Sequence, residues 1–154
     1  MKDLIMVREH PRVFRCNGLA NKKKIFEKMA QVLSSDSGVS FNRVLDGLMA
    51  REKLGSTYIG NGVAIPHCKL SVDTPTAAIL MLDKAVKYSD ESGHQVDIIF
   101  GLLVPTENSE QHLHLLSSIA RLSEQKCWLN SLRELTDEKD IYKYLFEIEN
   151  SLGE

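Results

Sequence analysis

Val96-Asp97-Ile98-Ile99-Phe100-Gly101-Leu102-Leu103-Val104 is apolar along nearly its whole length. Such a run is short for a helix, and it lacks the polar alternate positions of a strand with one wet face. It predicts a central strand covered on both sides. Around it the chain offers other strands. Ala77 to Leu82 is a second short apolar run, Val86 to Ser89 suits an edge strand, and Val63-Ala64-Ile65 reads as a strand that stops at Pro66.

Helical patterns flank these runs. Asn21 is placed to cap a helix through residues 22–33, where Ile25, Met29 and Leu33 recur with Phe26 and Ala30 beside them. Ser34-Ser35-Asp36-Ser37-Gly38 predicts its break. A second helix is expected from Ser40 to Gly55, burying Val44, Leu45, Leu48 and Met49, with Gly55 in the left-handed backbone beyond its end. A third begins near Ser109, and Thr136 is placed to cap a last one whose Ile141, Leu145 and Ile148 face inward. No repeat or low-complexity linker divides the chain. The expected fold class is α/β: a single-domain sandwich over residues 1–154, with a central mixed β-sheet flanked by helices. The stretch before about residue 20 is the least readable.

The bulk numbers narrow the function. Nineteen Lys plus Arg against 21 Asp plus Glu give a net charge of −2, which provides no global attraction to a polyanion, so no nucleic-acid partner is expected. The start mixes charges into its short apolar run, and no stretch approaches the ~20 apolar residues of a membrane span. A cytoplasmic protein without membrane insertion is expected. Cys16, Cys68 and Cys127 are odd in number and far apart, which speaks against a disulfide framework and against a zinc site. Neither a metal nor a cofactor is expected.

The chemistry concentrates between Arg51 and Lys69. Gly55-Ser56-Thr57-Tyr58-Ile59-Gly60-Asn61-Gly62 is a glycine-punctuated loop feeding the strand that ends in Pro66-His67. A histidine behind a strand-ending proline is presented at a sheet end, and an imidazole that titrates near neutrality offers an unprotonated nitrogen able to attack phosphorus. Gly60 and Gly62 allow close approach of backbone amides, and Ser56 and Thr57 add hydroxyls, so this loop is a candidate phosphoryl cradle. It is not a Walker loop, since GxxxxGK[ST] is absent. On the residues alone a histidine after a strand is more often a turn or half-buried structural residue than a nucleophile, and the glycines read equally as ordinary turn residues.

Glu52, Ile59-Gly60, Val63-Ala64-Ile65-Pro66-His67 and the small Cys68 stand at one further level of constraint. Their spacing resembles the active-site signature of the fructose/mannitol-class enzyme IIA (EIIA type 2) family of the phosphoenolpyruvate-dependent phosphotransferase system. Cys68 replaces the glycine more usual in that family. The order of elements is similar from about Lys22 to about Leu145, and the segment around His67 looks most like that of the nitrogen-regulatory members. The resemblance implies the mannitol/fructose-type enzyme IIA fold and a phosphohistidine relay, with His67 accepting a phosphoryl group from an HPr-like phosphocarrier protein. It further implies an arginine and a second histidine beside the phosphoryl group. Arg51 matches the arginine, although by itself it reads as a helix-end cation. For the histidine, His112 and His114 are candidates. At ~100° per residue His112 shares a face with Leu116, Ile119 and Ala120 near a helix start that favours anions, whereas His114 points away, and the family position falls on His112.

Two residues apart on a helix, His112 and His114 diverge too far to share a metal, and Cys68 beside His67 lacks the geometry of a Cys/His dyad. His10 and His94 are assigned to surface or loop, Cys16 and Cys127 to packing. The expected function is a phosphocarrier whose phosphorylation state controls regulatory protein targets. The alternatives are a sugar-transport component that passes its phosphoryl group to a IIB component, a non-catalytic binding module of the same fold, and a hydrolase using His67 as base, for which no partner nucleophile is evident.

Overall fold

The computed structural model describes residues 12–73, 75–89, 93–107 and 109–152, without the side chains of 109–113, 115, 146 and 148–152. The apolar run from Val96 to Val104 lies in β6 (Gln95–Pro105), in the middle of a six-stranded sheet. On one side it pairs antiparallel with β5 (Thr76–Lys87). On the other it pairs parallel with two short strands in line, β3 (Val63–Ala64) and β4 (His67–Leu70). β1 (Arg12–Cys16) continues the sheet beyond β5, and β2 (Tyr58–Gly60) beyond β3, giving the order β1-β5-β6-β3-β2 with β4 on β6.

Both faces of β6 are covered, as its composition requires. Ile98, Phe100, Leu102 and Val104 pack in one cluster with residues of α3 (Ser109–Ser123), α4 (Lys126–Glu134) and α5 (Glu138–Leu152). Ile99 and Leu103 pack in a second with α1 (Lys22–Ser37) and α2 (Phe41–Leu54). Between those two, Gly101 leaves the sheet bare, and fully buried Met29 of α1 fills the space: a Cβ at Gly101 would stand 2.1 Å from its Sδ.

Several expectations are corrected. The strand before Pro66 does end there, β3 stopping at Ala64, but the Pro66 carbonyl accepts from Leu102 N–H at 3.1 Å and pairing on β6 resumes as β4 with His67 opposite Leu102, a continuation that was not expected. Val86 to Ser89 is not a separate edge strand: Val86 and Lys87 are the far end of β5, carried past a bulge. α1 runs through Ser34–Ser37 and ends only at Gly38, with φ 79. The serines are absorbed, Ser34 Oγ donating to Val39 O at 2.6 Å. Gly55 does end α2, but at φ 157 and ψ 148, close to extended rather than left-handed helical. Val44 and Leu48 are buried while Met49 is 38% exposed. The cap of α5 is Asp137, whose carboxylate accepts from Lys139 N–H at 2.8 Å, rather than Thr136. Ile141 and Leu145 are buried; the Ile148 side chain lies outside the described residues. β1, β4 and α4 were not anticipated, nor was β2, which lies within the stretch from Gly55 to Gly62 that reads as a loop.

Candidate phosphoryl-transfer site

Alternation along β3 and β4 decides which way His67 faces. Val63 and Ile65 belong to the cluster under α3, α4 and α5, Ala64 and Cys68 to the opposite one. Cys68 sits beside Gly47 of α2. His67 and Lys69 therefore point to the α3 side. The His67 ring is half-buried, with Nδ1 2.7 Å from the Ile65 carbonyl. A carbonyl can only accept, so in the neutral ring Nδ1 carries the proton and Nε2 keeps its lone pair. Burial, the largest influence, lowers the His67 pKa from the ordinary 6.5; the Ile65 hydrogen bond raises it, and the Arg51 charge lowers it further. The neutral, nucleophilic form is thus favoured at neutral pH.

Beside it, the end of α2 and the start of β2 form a network. Arg51 Nη1 donates to Gly55 O at 2.9 Å, folding the guanidinium back over the connecting loop. Glu52, its side chain only 7% exposed, accepts from Lys22 Nζ at 2.8 Å, Thr57 N–H at 3.2 Å and Thr57 Oγ1 at 2.7 Å. Buried Tyr88 lies against the same two residues, its hydroxyl 2.7 Å from Thr57 Oγ1 and 3.3 Å from Glu52. Thr57 O in turn accepts from Ile65 N–H at 2.9 Å. The Thr57 hydroxyl is thus engaged, whereas Ser56 is exposed and accepts only from Tyr58 N–H among the bonds described.

Gly60 and Gly62 are not brought to His67. Gly62 O accepts from Asp97 and Ile98 N–H, while His67 lies opposite Leu102, a separation of about five residues or roughly 16 Å along β6. Gly60 ends β2 and Asn61-Gly62 is the turn into β3, with all three residues at positive φ. Arg133 of α4 pins it, pairing with Asp97 at 2.7 and 3.0 Å and donating to Asn61 O, and Asn61 Nδ2 donates to Ser123 O at 2.7 Å. Clustered glycines signal positive φ, which a hairpin turn needs as much as a phosphate cradle does; here the turn accounts for them.

His112 falls within α3, but its side chain lies outside the described residues, as does all of His10. His114 is exposed, as its helix face predicts, and His94 is exposed and stacked on Tyr58 at 4.3 Å. Cys16 is buried as expected, but Cys127 is exposed. Lys69, Lys22 and Tyr88 were missed. Lys69 shares the strand face of His67, and its charge lowers the ring's pKa; alternation would have found it had the strand been carried past Pro66. Lys22 and Tyr88 reach the site only through tertiary folding.

Residues 6–148 match the family described as the phosphoenolpyruvate-dependent sugar phosphotransferase system, EIIA 2. The chain belongs to this family. It is a phosphotransfer component of such a system, and EIIA components work with phosphocarriers and IIB components. The family match begins at residue 6, ahead of the point near Lys22 from which the similar order of elements was read. A nitrogen regulatory protein of Pseudomonas aeruginosa is 36% identical over 132 residues, covering 84% of this chain and 86% of that protein. The crystal structure of the nitrogen regulatory protein IIA-Ntr from Neisseria meningitidis superposes with a TM-score of 0.80 at 35% identity, covering 86% of this chain and 91% of that one. The mannitol IIA of Escherichia coli, at 18% identity and a TM-score of 0.72 over 87% of this chain and 95% of its own, shares the fold. Among the described residues no helix is long and apolar enough to cross a membrane.

Proposed function

We propose that this EIIA component accepts a phosphoryl group on Nε2 of His67 from an HPr-like phosphocarrier, and that its phosphorylation state regulates protein targets as a nitrogen-type IIA protein. The observation that carries the reading is the hydrogen bond from Nδ1 to Ile65 O, which leaves Nε2 as the free lone pair. That lone pair attacks phosphorus in line. The N–P bond of the donor breaks as the new N–P bond forms, and the donor imidazole takes back its electron pair. No water or cofactor takes part, so catalysis consists of positioning and of stabilising charge on the equatorial oxygens. Arg51 and Lys69 supply positive charge near the ring, Ser56 offers an exposed hydroxyl, and His112, from the first turns of α3, is assigned as the second donor. A cytoplasmic setting fits such a relay. The names of the two nitrogen regulatory proteins, which match at 36% and 35% identity over 84% and 86% of this chain, support the regulatory role.

The test is incubation with phosphoenolpyruvate, the upstream enzyme and the phosphocarrier, followed by intact-mass measurement and site mapping. One phosphoryl group is expected, labile in acid, stable in alkali and absent from His67→Ala. His112→Ala is expected to slow transfer by ~10²-fold, and His114→Ala to leave it unchanged. Undiminished labelling of His67→Ala would refute the assignment.

A further inference from the structure

We propose that Glu52 is a positioning residue for His67, acting through Thr57 and Ile65 to hold the imidazole with Nδ1 protonated and Nε2 free. The inference rests on the reading of His67 as phosphoryl acceptor. The path is continuous in hydrogen bonds. Glu52 grips Thr57 at both backbone N–H and hydroxyl, 3.2 and 2.7 Å. Thr57 O holds Ile65 N–H at 2.9 Å, and Ile65 O holds His67 Nδ1 at 2.7 Å. Pro66 between them has a fixed φ, and its own carbonyl is anchored by Leu102. Each peptide flanking the histidine is tied to something rigid.

Burying a carboxylate is costly unless every oxygen is satisfied, and apolar residues of like size stabilise a fold as well or better. Here both oxygens are satisfied, by groups from α2's own neighbours: Lys22 at the start of α1, Thr57 leading into β2, and Tyr88 just after β5. Lys22 Nζ also lies 4.3 Å from the Tyr88 ring centroid, so the cation is held in place as well. Four elements meet at one carboxylate, and what leaves that junction toward solvent is the Thr57–Ile65–His67 path. A loosened Thr57 would free the Ile65 peptide to rotate, and the ring would lose the acceptor that selects its tautomer.

The experiment compares wild type with Glu52→Ala, Glu52→Gln and Glu52→Asp. It reads the His67 ring tautomer by long-range ¹H–¹⁵N correlation and the kinetics of phosphorylation by the charged phosphocarrier. Wild type is expected in the Nδ1–H tautomer. Glu52→Ala is expected to populate both tautomers and to lower kcat at least about tenfold with little change in KM, as misorientation of a reacting group does. Glu52→Gln is expected to rescue both readouts, its oxygen accepting from Lys22 and Thr57 N–H and its amide donating to Thr57 Oγ1. Glu52→Asp, one methylene short, is expected to fall between, and it carries the test if Glu52→Ala does not fold. A wild-type tautomer in both Ala and Asp variants would overturn the proposal, and so would a Gln variant as impaired as Ala with its tautomer intact, which would mean that charge rather than position matters. If the wild type takes no phosphoryl group, the phosphocarrier reading fails while the tautomer comparison still decides the role of Glu52.

Discussion

His67 sits where two kinds of environment compete for its proton. Burial and the cations of Arg51 and Lys69 expel it, while the Ile65 carbonyl and the Glu52 charge retain it, and the net effect is a pKa below 6.5. Just below pH 6.5 the unfolded chain therefore binds more protons at this residue than the folded one, so its contribution to stability grows as pH rises through that window and is lost as pH falls. A ring-proton NMR titration is expected to show His67 protonating at lower pH than an unperturbed histidine, and Lys69→Ala is expected to move the midpoint up while slowing phosphoryl transfer severalfold. An unmoved midpoint in Lys69→Ala would remove Lys69 from the site. At this scale the sequence was readable where the signal is a local spacing: His67 after Pro66, and Arg51 at a helix end beside it. It was unreadable where the signal is a hydrogen bond between distant segments, as with Lys22 and Tyr88 on Glu52.

Elements were legible to the extent that their own residues decide them. β6 announced itself by burial on both faces, the cap at Asn21 bonds as expected, to Lys24 N–H, and Ser40, where the second helix was expected to start, proves to be its cap by accepting from Arg43 N–H. The prediction at this scale concerns the contact between β6 and α1. Gly101→Ala forces Met29 out of its buried position, since the new Cβ would collide with the side chain at 2.1 Å. Denaturant unfolding is expected to show a loss of roughly 1–3 kcal/mol for such overpacking. Met29→Ala is expected to cost stability by itself but to cost less in the Gly101→Ala background, a non-additivity that double-mutant analysis measures; strict additivity would mean that the two residues do not meet. β1 escaped notice because a five-residue strand with mixed polarity has no periodicity long enough to read, and its identity as a strand comes from the parallel partner β5. α4 was missed for a related reason. Only Leu129 and Leu132 of its nine residues are buried, too sparse a stripe to stand out.

At the scale of the whole molecule, two helical layers clamp one sheet, and β4 divides its residues between them: His67 and Lys69 on one side, Cys68 on the other. The layers as such were foreseeable from strands in the middle and helices around. The meeting of α1, α2, β2 and β5 at Glu52 was not, because no single stretch of chain contains it. The same division sorts the thiols. Cys16 and Cys68 are buried, and burial pushes Cys68 up to about 11, whereas Cys127 lies on the outer side of α4, opposite Leu129 and Leu132. A maleimide dye therefore has one address on the native protein, with no engineering of the chain. Intact-mass measurement is expected to find one adduct, on Cys127, in native buffer and three in denaturant; a second adduct on the native form would contradict the burial of Cys16 and Cys68. Fluorescence anisotropy from that single dye can then follow the molecule as it meets another protein, with His67 left unmodified.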